Sequence, residues 1–176
     1  MTTPVMESER LRLRPLSADD AEALHAVYAD EETMRWWSHP PHGSLDETRA
    51  RLAKNMTDPD WRAWAITVMG DDGAIGTLAA HEKRQGKVVE IGYSLARTHW
   101  RKGYAREAVS RLLDLLFHEE KMRRVFADTD PENLASNHLL ASLGFVQEGR
   151  LRGEWETHLG VRDSFIWGLL AEEWRR

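Results

Sequence analysis

Residues 100–106 read Trp100-Arg101-Lys102-Gly103-Tyr104-Ala105-Arg106. They stand just ahead of a stretch in which Ala105, Ala108, Val109, Leu112, Leu113 and Leu116 recur at helical spacing. A pyrophosphate needs several backbone N–H groups converging on it. A helix N-terminus supplies them, with the positive end of its dipole. Gly103 permits close approach and unusual dihedral angles, while Arg101, Lys102 and Arg106 add positive charge. The same residues also suit a plain basic turn before a helix, so the turn alone leaves both readings open. Neither GxxxxGK[ST] nor GxGxxG occurs, which removes the usual support for nucleotide hydrolysis and dinucleotide binding.

The neighbouring elements must position such a turn. Val88 to Leu95 reads as the strand that feeds it, and the helix runs from about Gly103 to His118. Arg124 to Asp128 follows as a short strand, and Asn133 to Ser142 as a helix stopped by Gly144. Upstream, residues 9 to 14 alternate as a half-buried strand. Ser17 caps a helix whose apolar face is Ala21, Leu24, Val27 and Tyr28. Residues 36–43 form a loop, and Ser44 with Glu47 opens a second helix to about Asn55. Trp61 to Met69 and Ala74 to about Glu82 pair through the turn Gly70-Asp71-Asp72-Gly73, and Gln85-Gly86-Lys87 turns again. Phe145 to about Arg152 and His158 to Leu170 close the chain as antiparallel strands around Trp155. No repeat, low-complexity tract or linker interrupts residues 1–176, so one α+β domain is expected.

The 176 residues suffice for one domain with a real core, and 41% hydrophobic with 30% charged residues mark a globular chain. A net charge of −5 argues against a nucleic-acid partner and fits a cationic acceptor. There is no cysteine, which excludes disulfides, thiolate zinc sites and a cysteine nucleophile. No signal peptide and no membrane-length apolar run is present, so a cytoplasmic location is expected. Eight tryptophans are many for this length and suit pockets or a homodimer contact. His39-Pro40-Pro41-His42 resembles a metal pair, but its prolines break helical spacing and no cysteine or acid triad completes it; no metal is expected.

The chain resembles the GNAT superfamily of acetyl-CoA-dependent N-acetyltransferases, and within it the Rim-type ribosomal-protein N-terminal acetyltransferases. Carrying the resemblance are residues 90–95, 103–109, 130–137 (Asp130-Pro131-Glu132-Asn133-Leu134-Ala135-Ser136-Asn137), Leu143-Gly144-Phe145, 148–152 and 162–174. The family's turn has the pattern Gln/Arg-x-x-Gly-x-Gly/Ala; here Trp100 departs at the first position. The resemblance implies a curved mixed sheet of about seven strands with about four helices. Its two central parallel strands, Val88 to Leu95 and Arg124 to Asp128, would splay apart to admit acetyl-CoA. Backbone groups of Tyr93, Ser94 and Leu95 would bond the pantetheine arm, and Arg101, Lys102, Gly103, Tyr104, Ala105 and Arg106 the pyrophosphate.

By the same resemblance, the reaction is direct attack of a primary amine on the thioester. Glu90 matches a family base position; a solvated strand glutamate is the alternative. Asn133 matches an Asn that bonds the CoA arm or a water, and it equally suits a helix N-cap. Ser136 matches a serine that protonates the leaving thiolate. The tyrosine that many members carry four residues before Gly-Phe is Leu140 here, which removes that acid. Trp36 and Trp37 are candidates for the acceptor pocket or a core contact, and His81 for a second acid/base or a structural histidine. A protein N-terminal α-amine is the expected acceptor. A small amine (polyamine, amino acid or antibiotic) is the alternative, and a non-catalytic acyl-CoA-binding module a further one.

Overall fold

Leu11 and Leu13 are fully buried while Arg12 faces outward. That alternation builds Leu11–Pro15 into the sheet of the computed structural model, which describes residues 3–84 and 86–175. Among the described residues the strands number eight: β1 (Met6–Glu7), β2 (Leu11–Pro15), β3 (Trp61–Val68), β4 (Gly76–Arg84), β5 (Val88–Leu95), β6 (Arg124–Thr129), β7 (Val146–Thr157) and β8 (Gly160–Leu170). They form one sheet in the order β1-β2-β3-β4-β5-β6-β8-β7. Five α-helices accompany them: α1 (Ala21–Tyr28), α2 (Glu31–Met34), α3 (Leu45–Met56), α4 (Tyr104–Asp114) and α5 (Leu134–Ser142). The sheet is mixed, as expected, with one strand and one helix more than expected. The additions, β1 and α2, are two and four residues long, too short to leave a periodic signal.

Local chemistry sets the helix starts. The Ser17 hydroxyl accepts from the Asp19 N–H while the Asp20 carboxylate accepts from the Ser17 N–H. Ser44 accepts from the Glu47 N–H at 3.3 Å, but the Glu47 carboxylate turns to the Gly43 N–H at 3.0 Å rather than closing a full box. Downstream of α4, residues Leu115–Glu119 continue as a wider π-helical turn. The final hairpin turns at His158 and Leu159, beyond Trp155, which pairs with Arg162 inside the ladder. Gln85 of the expected turn lies outside the described residues; Gly86 and Lys87 have φ of 80° and 61°.

Two cores lie on the two faces of the sheet. On one, α4 with the turn that follows it and α5 with its C-cap pack Leu112, Leu113, Leu116, Leu140 and Leu143 against Val89, Ile91 and Leu95. On the other, α1 and α3 pack Leu24, Val27, Tyr28 and Leu52 against Ala65 and Leu16. Among the described residues the one parallel pair, β5 with β6, is joined only at Val88↔Arg124, Val89↔Val125 and Glu90↔Phe126. From there β5 runs on to Leu95 and β6 to Thr129 with no further pairing between them, which is the expected splay.

Candidate active site

Beyond Ile91 the β6-facing edge of β5 lacks the strand that would satisfy its backbone. Unpaired N–H and C=O groups on a strand edge invite an added extended chain. Tyr93, Ser94 and Leu95 lie on this stretch, and their other edge is held by β4 at Leu78, Thr77 and Gly76. Alternation places Glu90, Gly92 and Ser94 on one face and Ile91, Tyr93 and Leu95 on the α4–α5 face.

The chain leaves β5 into the basic turn. Arg101 and Gly103 have φ of 60° and 80°, and Gly103 caps α4 without any side-chain hydrogen bond. The first N–H groups of α4 are therefore unclaimed by a capping side chain, as anion binding requires. Arg10 holds the turn from β2's side. It donates to the Lys102 carbonyl at 2.9 Å, pairs with Glu107 at 2.6 Å and lies 4.9 Å over the Tyr104 ring. Desolvation raises the Glu107 pKa, but hydrogen bonds from the Arg10 backbone, Ser8 and the Arg10 side chain outweigh it and lower it below its usual value. Trp100 ties the turn to the strand, its indole N–H donating to the Leu95 carbonyl at 2.8 Å. Arg101, Lys102 and Arg106 remain exposed around the turn. The open edge, the left-handed Gly103 and the uncapped helix fit a pantetheine arm and a pyrophosphate.

Facing the gap from α5, Asn133 is the helix N-cap and accepts from the Ser136 N–H at 3.2 Å. The Tyr93 hydroxyl is buried and faces Ser136, without a hydrogen bond of full geometry between them. Burial pushes the Tyr93 phenol up to about 12, opposed by the Ser136 hydroxyl. Leu140, one turn further along α5, is completely buried. Asn137, which the sequence did not single out, organises the entry to α5. Its side-chain carbonyl accepts from Thr129 at 2.6 Å and from the Trp167 indole at 3.1 Å, and its amide donates to the carbonyls of Asp130 and Pro131. Arg162 grips the same loop through Asp130 and Glu132, each at 2.8 Å.

On the opposite face Glu90 lies directly across from His81 on β4. His81 also meets Asp58 at 3.8 Å and the edge of Trp61. Gly92 keeps the floor beside Glu90 open, since a Cβ there would meet nothing within 4 Å. Asp128, two residues past Glu90's partner Phe126, accepts from the Trp155 indole at 3.1 Å and from Ser164. Trp37 packs on the α1–α3 core and lies against His39, whereas Trp36 is covered by Arg35 at 4.7 Å. A surface depression of about 460 Å³ beside α1 is lined by none of these residues; its Arg14, Asp20 and Asp72 pair with one another.

Residues 10–146 match the family model of the acetyltransferase (GNAT) domain. The chain belongs to the GNAT family. It is an acetyl-CoA-dependent N-acetyltransferase by that membership. The chain is 33% identical over 172 residues to the uncharacterized N-acetyltransferase p20 of Bacillus licheniformis, covering 95% of this chain and 96% of the relative. The crystal structure of the Vibrio cholerae spermidine N-acetyltransferase, bound to CoA and spermine, superposes with a TM-score of 0.82 at 25% identity, covering 95% of this chain and 99% of the other. A ribosomal-protein α-N-acetyltransferase solved with coenzyme A shares the fold, with a TM-score of 0.84 at 19% identity, covering 95% and 98%. Among the described residues no helix is long and apolar enough to cross a membrane.

Proposed function

We propose that this GNAT enzyme acetylates the α-amine of a peptide N-terminus by direct attack, with both substrates bound together in one domain of the cytoplasm. The observation that carries it is the β5–β6 gap opening onto the uncapped start of α4. Acetyl-CoA supplies the acetyl group activated as a thioester. The backbone of Tyr93, Ser94 and Leu95 orients the pantetheine arm, and residues 101–106 hold the pyrophosphate. Glu90, at the root of the gap, takes the proton from the acceptor amine. An α-amine, with a pKa of about 8, needs less help than a lysine-type amine at about 10.4. Ser136, beside Tyr93, offers the proton that the leaving sulfur takes up. With no cysteine in the chain, no thiol is present to carry the acyl group. His81 modulates Glu90 from the neighbouring strand.

A small polyamine acceptor is the second reading, favoured by likeness to the spermidine enzyme. CoA release with N-terminal peptides against free di- and polyamines decides between them. Turnover confined to peptides, and lost on blocking their α-amine, supports the peptide reading; turnover confined to polyamines replaces it. Tight acetyl-CoA binding without turnover on any amine refutes both.

A further inference from the structure

Arginines that lose water in a fold take a carboxylate as partner. Among the described residues Arg14, Arg62, Arg111, Arg124 and Arg162 are buried or half-buried, and each holds a carboxylate at 2.5–3.2 Å. Arg51 on α3 is half-buried too, yet it has no hydrogen bond or ion pair among the described residues. Its natural helical partner, Glu47 four residues earlier, is turned away to the Gly43 N–H.

Arg51 belongs to a wall of rings. One turn before it, the Thr48 hydroxyl is hydrogen-bonded to the Nδ1 atoms of His25 and His42, at 2.8 and 2.9 Å. The His42 ring stacks on Tyr28 at 5.0 Å and on His39 at 5.4 Å. The Tyr28 hydroxyl faces Thr77, without a hydrogen bond of full geometry between them, and Thr77 is hydrogen-bonded at 2.9 Å to Ser94 on β5. The wall therefore starts at Arg51 and ends on the Glu90–Gly92–Ser94 face. His39 donates from Nδ1 to the Pro40 carbonyl, leaving Nε2 buried and without a partner. His39 and His42 both have lowered pKa values, from burial first; the Pro40 carbonyl at His39 and the Glu47 carboxylate at His42 oppose it, and the Arg51 charge adds to it at both.

We infer that Arg51, with His39 beside it, forms a subsite for a carboxylate carried by the acceptor amine. This rests on the acetyltransferase reading and narrows the acceptor. The amine end lies toward Glu90 and the anion toward Arg51. A single guanidinium matches a monoanionic carboxylate, which it can grip through two parallel hydrogen bonds. A polyamine meets the Arg51 cation there, and the Glu47 carboxylate that acts on His42 is already held by the Gly43 N–H. The carboxylate comes either from a side chain near a peptide N-terminus or from a small amino acid.

The test compares acceptors matched in amine basicity. Two peptides with amidated C-termini differ only in Glu or Gln at the second position; 4-aminobutyrate is set against its amide. The wild-type enzyme is expected to favour the carboxylate member of at least one pair by tenfold or more in kcat/KM, and the pair that responds names the source. Arg51→Gln should collapse that ratio to about one, and Arg51→Lys should restore part of it. A wild-type ratio near or below one, or a ratio that Arg51→Gln leaves intact, overturns the subsite. A second readout does not need turnover. Adding the Glu peptide should raise the NMR titration midpoint of His39 in the wild type and leave it unmoved in Arg51→Gln. If no amine is acetylated but His39 responds, the reaction proposed above fails and the subsite stands. If turnover occurs and His39 is silent, the subsite fails alone.

Discussion

Glu90 and Phe126 are the last residues to pair β5 with β6, and the gap opens immediately beyond them. A carboxylate at that point stands at the root of the gap, the position from which we propose that it takes the proton of the acceptor amine. Glu90→Gln keeps the shape and removes the proposed base. We expect kcat/KM for the acceptor to fall by about 10²–10⁴, with acetyl-CoA affinity by calorimetry unchanged. Unaltered turnover would remove Glu90 as the base and leave it a strand glutamate opposite His81.

Gly103 has φ of 80°, and an added Cβ would sit 3.2 Å from the Arg10 guanidinium that holds the turn. Gly103→Ala combines left-handed strain of about 1–2 kcal/mol with displacement of that support. Acetyl-CoA affinity should weaken by about tenfold or more. Equal affinity in the variant would show that the turn holds no pyrophosphate.

Asn137→Ala should be costly to the fold. It strips partners from the Thr129 hydroxyl, the Trp167 indole and two loop carbonyls in a buried place. We expect a loss of about 2–3 kcal/mol in urea unfolding. A loss below about 0.5 kcal/mol would mean that water replaces the amide without penalty.

What the sequence showed and what it hid divide along range of interaction. Ser17, Ser44 and Asn133 were readable as caps because a cap is satisfied within three residues, and each accepts from such an N–H here. The α4 stripe was readable because its period is local. Asn137 was not, since its partners Thr129 and Trp167 lie in other strands. Arg51 was hidden for the opposite reason, because Glu47 at i−4 looks like its partner and only the structure shows that carboxylate turned to Gly43. The splay of β5 from β6 came from family resemblance, because strand pairing across 36 residues (Glu90 to Phe126) leaves no local pattern.

Tyr93 offers a direct test of the closed side of the gap. Burial raises its pKa from the model-compound 10.0 to about 12, because the phenolate has no solvent there. Between those two values the unfolded chain has released a proton that the folded chain retains. Stability is therefore full below about pH 10 and falls as pH rises toward about 12. In absorbance at 295 nm a late tyrosinate phase, to which buried Tyr28 also contributes, should appear near the alkaline unfolding limit and lose one tyrosine's amplitude in Tyr93→Phe. Tyr93→Phe should also unfold less steeply with rising pH than the wild type. If Ser136 uses the phenol to orient its hydroxyl, Tyr93→Phe will lower kcat while leaving the KM for acetyl-CoA in place. Ser136→Ala will then add little to that loss, because the two hydroxyls act as one unit. Fully additive losses in the double variant would show that Tyr93 and Ser136 act independently.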